Sequence, residues 1–399
     1  MSQTQNPITQ EPGPTGITAP RGFAAAGVPA GLKSTGANDV VVVRNLGPSH
    51  AAAAVFTSNR VAAAPVLYSR QVIGDGRADA VVLNSGGANA CTGAEGFANT
   101  HRTAEYAAGL LGISAADVLV ASTGLIGMQL PMDKLLPGVQ RAVDALDTTA
   151  EAGLAAATGI MTTDTVPKQA VRRGDGYTIG GIAKGAGMLA PGLATMLVVL
   201  TTDAQLPAAQ LDAALRAATA ASFDRADSDG CMSTNDTVAL LASGASGETP
   251  DTGEFTALLT ELCQELARAL IDDAEGAEHT IEVRTVNAAS EADALEVSRA
   301  VSRSNLVKTA IFGRDPNWGR VLSEVGTTAA AFEPDQLNVS INGVMVCRAG
   351  SVGEDRDLVD LEQRQVLIEI DLNAGTEQAA ILTNDLTHAY VHENSAYSS

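Results

Sequence analysis

The stretch of this 399-residue chain most suited to chemistry is Gly180 to Thr195, GGIAKGAGMLAPGLAT. It is rich in glycine, carries one lysine, and runs into a strand-like segment, Thr195 to Thr201 (TMLVVLT). Its spacing matches neither GxxxxGK[ST] nor GxGxxG, and a strand rather than a helix follows. On spacing alone, a phosphate-cradling loop and a plain strand–loop–strand connection both stay open. A chemical reading stands beside them. A threonine at the start of a buried strand can attack the carbonyl before it. An N→O acyl shift at Ala194–Thr195, followed by hydrolysis, would free the Thr195 α-amine. That amine has an ordinary pKa of roughly 7.7–8.0 and can take the proton of its own Oγ near neutral pH. Gly185, Gly187 and Gly192 give the backbone room to bend, and Ala194 adds little bulk.

A single residue acting as nucleophile and base suits this chain, because no other base is apparent. The five histidines are His50, His101, His279, His388 and His392. Only the last two have ligand-like spacing, in a strand-like or tail segment, and a metal site needs further ligands. No GxSxG elbow and no HExxH occur. An acyl-transfer nucleophile also needs oxyanion donors. Ser122-Thr123-Gly124 follows the strand-like DVLVA at Asp117 to Ala121. The Thr123 hydroxyl and Gly124 N–H there would serve; an ordinary strand-end turn fits the same residues.

The elements that must hold these groups alternate along the chain. Strand-like runs occur at Asp39 to Arg44 (DVVVVR), Ala52 to Thr57 and Ala80 to Leu83. Helical patterns cover Gly96 to Leu111, Pro131 to Leu146, Ala152 to Ile160, Pro207 to Ser222 and Phe255 to Ile271. The last has Leu258, Leu259, Leu262 and Leu266 along one stripe, and Cys263 falls in its core. Leu337 to Ile381 is richer in strands, with a hairpin turn at Asn342-Gly343. The pattern predicts an α+β fold of layered helix and sheet. Residues 1–20 read as a flexible extension, 21–194 and 195–282 as the two parts of the core, and 283–399 as a smaller C-terminal α/β domain.

Composition limits the function. Aromatics are 3% of a chain that is 45% hydrophobic, so the core is built from small aliphatic side chains. No apolar run approaches the roughly 20 residues of a membrane span. The net charge of −21 argues against nucleic-acid or anionic-membrane partners. Residues 1–194 hold 13 basic and 13 acidic residues, and residues 195–399 hold 12 and 33. The entire excess follows the Ala194–Thr195 bond; a solvated acidic surface is its plain reading. Cys91, Cys231, Cys263 and Cys347 show no clip or redox spacing, which suits a reduced, cytoplasmic protein.

KGAGMLAP-x-x-ATML at Lys184 to Leu197 resembles the autocleavage motif of the ornithine acetyltransferase, or glutamate N-acetyltransferase, family. NSGGANACTG (Asn84 to Gly93), STGLIG (Ser122 to Gly127) and MTTDT (Met161 to Thr165) are similar to it too. So are SDGCMSTNDT (Ser228 to Thr237), AEGA (Ala274 to Ala277), GRDPNWGR (Gly313 to Arg320) and the ending YVHENSAYSS. The resemblance runs from about Arg21 to Ser399.

It implies the layered N-terminal-nucleophile fold shared with related aminopeptidases. It implies an α chain ending at Ala194 and a β chain starting at Thr195, associated as an α2β2 heterotetramer. By the resemblance, Thr195 is the nucleophile, Thr123 and Gly124 form the oxyanion hole, and substrate meets Thr162, Lys184, Thr195, Glu275, Asn394 and Ser399. Thr162 rather than Thr163 is the motif-aligned choice, and Ser399 stands where the family often has Thr. Lys184 would pair with an α-carboxylate and Glu275 with the ornithine ammonium. The implied reaction takes acetyl from N2-acetylornithine to glutamate by a ping-pong route, within arginine biosynthesis. No cofactor is expected. Bifunctional members also accept acetyl-CoA as co-substrate, and no nucleotide-binding signature here decides that. The competing readings are a self-processing aminopeptidase or amidase, in which water resolves the acyl-enzyme, and an unprocessed binding protein.

Overall fold

A computed structural model describes residues 16–190 and 196–396 of the chain. Ala194, Thr195 and Ser399 lie outside the described residues.

The first sheet contains β1 (Phe23–Val28), β2 (Val40–Asn45), β4 (Ala80–Asn84) and β5 (Val118–Ser122), in that order across the sheet. Its strands are antiparallel except for the β4–β5 pair. The second contains β3 (Ala52–Phe56), β6 (Lys168–Arg173), β7 (Thr178–Lys184), β8 (Leu197–Thr202) and β9 (Thr237–Ala242). Its order is β3-β9-β8-β7-β6, with only β8 and β9 parallel. The dense β-branched and alanine runs of these strands are buried on both faces, as central strands covered on two sides must be.

The two sheets stack face to face. Val41, Val43, Val81 and Leu83 of the first meet Ala54, Ile182, Val199 and Leu241 of the second. This interface uses alanine and valine, which accounts for a large core with so few aromatics. Three helices cover the far side of the first sheet: α1 (Ala64–Val72), α2 (Gly93–Leu111) and α3 (Met132–Asp144). Two cover the far side of the second: α5 (Ala208–Ala220) and α6 (Thr252–Asp272). A further helix, α4 (Ala150–Gly159), packs beside β1. The expected α+β layered sandwich is therefore present as helices, sheet, sheet, helices. Leu259, Leu262, Cys263 and Leu266 of α6 all lie in the core, as the stripe requires.

The third sheet has its own core and the order β13-β12-β11-β14-β10-β15. These are β10 (Thr280–Ala288), β11 (Asn338–Ile341), β12 (Val344–Arg348), β13 (Ser351–Val352), β14 (Gln365–Asp371) and β15 (Glu377–Asn384). Helices α7 (Glu291–Arg303), α8 (Asn305–Phe312) and α9 (Trp318–Val325) accompany it. An expected boundary at 283 lies inside β10. The β11–β12 hairpin turns at Asn342-Gly343, with φ of 47° and 84°, the left-handed pair that a two-residue hairpin demands.

Two expectations need correction. Packed chain begins within the extension expected over residues 1–20. Ile17 is fully buried between the sheets, and its carbonyl accepts the Thr201 hydroxyl at 2.9 Å. His388 and His392 lie not on a strand-like segment but on the helix α10 (His388–Ala396). The Thr387 hydroxyl accepts the Tyr390 N–H at 3.0 Å, a side-chain cap of the kind that starts a helix, and the His388 ring packs edge-on against Phe312. Among the described residues no cluster of three or more metal-ligating side chains exists.

Candidate active site

A cavity of about 410 Å³ opens between segments that are far apart in sequence. Thr123, Gly124, Thr162, Lys184, Glu275 and Asn394 all line it, and so does Thr163. These are all the expected site residues that the structure describes.

Thr123 and Gly124 follow β5. The Thr123 N–H donates to the Asn84 carbonyl at 2.9 Å, and the Thr123 carbonyl accepts the Gly87 N–H at 3.0 Å. Gly124 has φ of 129°, and a Cβ there would stand 2.7 Å from the Gly87 nitrogen. The turn therefore admits only glycine. Among the described residues, neither the Thr123 hydroxyl nor the Gly124 N–H finds an acceptor. Among the described residues these two donors at the cavity wall are unspent, which suits a site that receives an oxyanion.

Lys184 ends β7 and is 1% exposed. Its Nζ donates to the Thr162 hydroxyl at 3.2 Å. Burial lowers its pKa, against the opposing pull of Asp164 and Asp236 and with the help of Lys168 and Lys33. Asp164 accepts from Lys168 Nζ at 2.7 Å, from the Gly185 N–H at 2.7 Å and from the Thr162 N–H at 3.0 Å. Burial would raise its pKa, but Lys184, Lys168 and these donors hold it below the ordinary carboxylate range. Lys168 also meets Asp273 at 2.6 Å. Lys184 thus lies in a buried cluster of lysines and aspartates, with its Nζ on Thr162 at the cavity wall.

Glu275 follows α6. Its N–H donates to the Ala186 carbonyl at 2.8 Å, and its carboxylate accepts the Asn394 amide of α10 at 2.9 Å. No cation pairs with it among the described residues. A neighbouring carboxylate, Asp229, accepts the Met188 N–H at 2.7 Å while the Ser228 N–H donates to the Leu189 carbonyl at 2.6 Å. Together they hold the loop that leads away from Lys184, with Met188 at a φ of 56°. Burial pushes Asp229 up to about 6.

Asp236 sits at the start of β9, fully buried, and its Oδ1 accepts the Met196 N–H at 3.1 Å. Burial raises its pKa well above the ordinary value, although Lys184 lies near. Sequence reasoning gave no role to Asp164, Asp229, Asn235 or Asp236. Their signal was present in MTTDT and SDGCMSTNDT, whose polar residues are too dense for ordinary loops flanking buried strands.

The chain matches the ArgJ family over residues 24–399. The arginine biosynthesis bifunctional protein ArgJ of Streptomyces avermitilis is 64% identical over 383 residues, which are 96% of this chain and 100% of that protein. The ArgJ protein of Thermobifida fusca is 62% identical, over 96% of this chain and 99% of its own. A crystal structure of Mycobacterium tuberculosis ornithine acetyltransferase with ornithine aligns at 54% identity and a TM-score of 0.44, covering 46% of this chain and 96% of that one. By the family match and the near full-length identity of these relatives, the chain belongs to the ArgJ family.

Proposed function

We propose that this enzyme cuts itself at Ala194–Thr195 and then moves acetyl from N2-acetylornithine to glutamate through an acetyl-Thr195 intermediate. The observation that carries the reading is the convergence of Thr123, Gly124, Thr162, Lys184, Glu275 and Asn394 on one cavity. Thr195 Oγ attacks the acetyl carbonyl, and the α-amine of the same residue takes its proton. The oxyanion is received by the Thr123 hydroxyl and the Gly124 N–H. As the C–N bond breaks, the proton passes to the departing ornithine amine. The glutamate amine then attacks acetyl-Thr195, and the hydroxyl is restored. Lys184 receives the α-carboxylate that both substrates share. Glu275, with Asn394 beside it, receives the ornithine ammonium, and Ser399 is assigned to substrate binding on the family resemblance.

Cleavage need not separate the two segments. Lys184 pairs with Leu197 across the β7–β8 ladder, and β3 pairs with β9, so both strand contacts join residues before the cut to residues after it. We assign the mature enzyme an α2β2 assembly with no resident cofactor, and acetyl-CoA is the co-substrate to test as a second acetyl donor. No described helix is long and apolar enough to cross a membrane; we place the enzyme in the cytoplasm.

Mass spectrometry after brief exposure to N2-acetylornithine tests the reading. The expected result is fragments 1–194 and 195–399, with one acetyl group on the second. Thr195→Ala should abolish both cleavage and transfer, and Thr195→Ser should keep part of each. A single intact chain that still turns over would overturn the reading. Release of acetate with no N-acetylglutamate, in the presence of glutamate, would favour an amidase instead.

A further inference from the structure

Asn235 lies between the Ser228–Thr234 segment and β9 and is 4% exposed. Its amide Nδ2 donates to two carbonyls from two different segments, Ala88 at 2.6 Å and Ser122, the last residue of β5, at 2.8 Å. Because carbonyls only accept, these two contacts fix which end of the amide is nitrogen, and Oδ1 accepts the Thr234 hydroxyl at 2.6 Å. The Asn235 N–H donates to Ser233 Oγ, and its carbonyl accepts the Thr237 hydroxyl, both at 3.1 Å. Every polar atom of the residue is engaged, so the amide cannot turn without breaking several bonds.

The Ser122 carbonyl belongs to the peptide unit that carries the Thr123 N–H. That unit is held at both ends, by Asn235 at its oxygen and by the Asn84 carbonyl at its N–H. The next unit joins the Thr123 carbonyl to the Gly124 N–H, and in a trans peptide these two groups point in opposite directions. The carbonyl is bound to the Gly87 N–H, so the Gly124 N–H faces away from Gly87. The plane of the first unit sets where the second begins.

We infer that Asn235 is the positioning residue of the oxyanion turn, aiming the Thr123 hydroxyl and the Gly124 N–H by holding the Ser122 carbonyl. This rests on the proposed oxyanion role of Thr123 and Gly124. Asn235 follows the Ala194–Thr195 bond and its two carbonyl partners precede it. The clamp therefore spans the two parts of the chain, and it ties the aim of the donors to the strand pair that begins at Leu197 and Thr237.

A double-mutant cycle tests the inference on the full-length enzyme, with kcat expressed per cleaved chain. Asn235→Ala is expected to lower kcat by about 10- to 100-fold, the scale of a sub-ångström to ångström misplacement, with KM for N2-acetylornithine changed by no more than about twofold. Combined with Thr123→Ala, the loss should fall well short of the product of the single losses, because both act on one oxyanion. Asn235→Ser keeps one of the two donors. It should show the same pattern at a smaller size, and it carries the test if the alanine variant does not fold. Normal kcat in a folded variant, or losses that multiply, would overturn the inference. If Thr123→Ala by itself leaves kcat unchanged, the oxyanion reading fails first, and the clamp has nothing to aim.

Discussion

The cavity wall at Thr123–Gly124 and the wall at Lys184–Glu275 are held by different forces. The first is fixed by neutral hydrogen bonds, from Asn84, Gly87 and Asn235. The second is fixed by charge: Lys168 pairs with Asp164 and Asp273 in a buried cluster that Asp164 shares with Lys184, and Asp229 holds the loop beyond them. Neutral clamping is nearly independent of pH and salt, which suits the proposed oxyanion role of this wall. Charged clamping places a cation and a carboxylate at fixed points, which suits a zwitterionic amino-acid substrate. Its cost is the burial of ionisable groups, and so a dependence on pH.

The largest expected effect that separates the walls is at Gly124. Gly124→Ala should reduce transfer and cleavage to below about a thousandth of wild type, since a Cβ at 2.7 Å from the Gly87 nitrogen displaces both donors at once. Turnover of N2-acetylornithine and electrophoresis of fresh protein would read it, with a melting curve to confirm folding. Near-normal turnover would remove the neutral wall from the chemistry.

An intermediate effect is expected across the cavity. Glu275→Gln keeps the shape and the Asn394 contact but removes the charge. It should raise KM for N2-acetylornithine about tenfold, the worth of one charge-assisted hydrogen bond, with kcat within a few-fold. A fall in kcat at constant KM would move Glu275 from binding to chemistry and blur the contrast between the walls.

The smallest effect concerns stability. Burial pushes Asp229 up to about 6, so the folded chain holds that proton more firmly than the unfolded chain does, whose carboxyl titrates near 3.9. Its contribution favours the fold fully below the unfolded value and is lost as pH rises through 6. Asp229→Asn removes this loss. Its melting temperature should gain on wild type by a few degrees between about pH 4 and pH 7. Calorimetry at several pH values checks it; a difference that shrinks with pH would contradict the sign.

Much of the secondary structure was legible because it is written locally. DVVVVR could only be a covered strand, the α6 leucines repeat at helical spacing, and Asn342-Gly343 takes the left-handed turn its residues favour. β7 was harder. Gly180 and Gly181 argue against a strand interior on propensity, yet a Cβ at Gly180 would stand 2.1 Å from the Gly16 carbonyl oxygen. The glycine exists for a close approach by a segment far away in sequence, which no local rule detects. The helix at His388–His392 escaped for a similar reason: its ring contact and its packing beside Gly276 are tertiary.

By itself the sequence determined the alternation of elements, the small-residue core and the family, because each is carried by side-chain type and order along the chain. It also nominated Thr123, Gly124, Lys184, Glu275 and Asn394 as partners. Only the tertiary structure decided that these residues share one cavity, and which polar groups around it are already satisfied. A hydrogen-bonding group has the same identity in the sequence whether its bond is spent or free. At Thr123 and Gly124 the donors have no acceptor among the described residues, while Asn84, Gly87 and Asn235 occupy the other polar atoms of the same turn; those partners come from two segments, 84–87 and 235, brought together by folding.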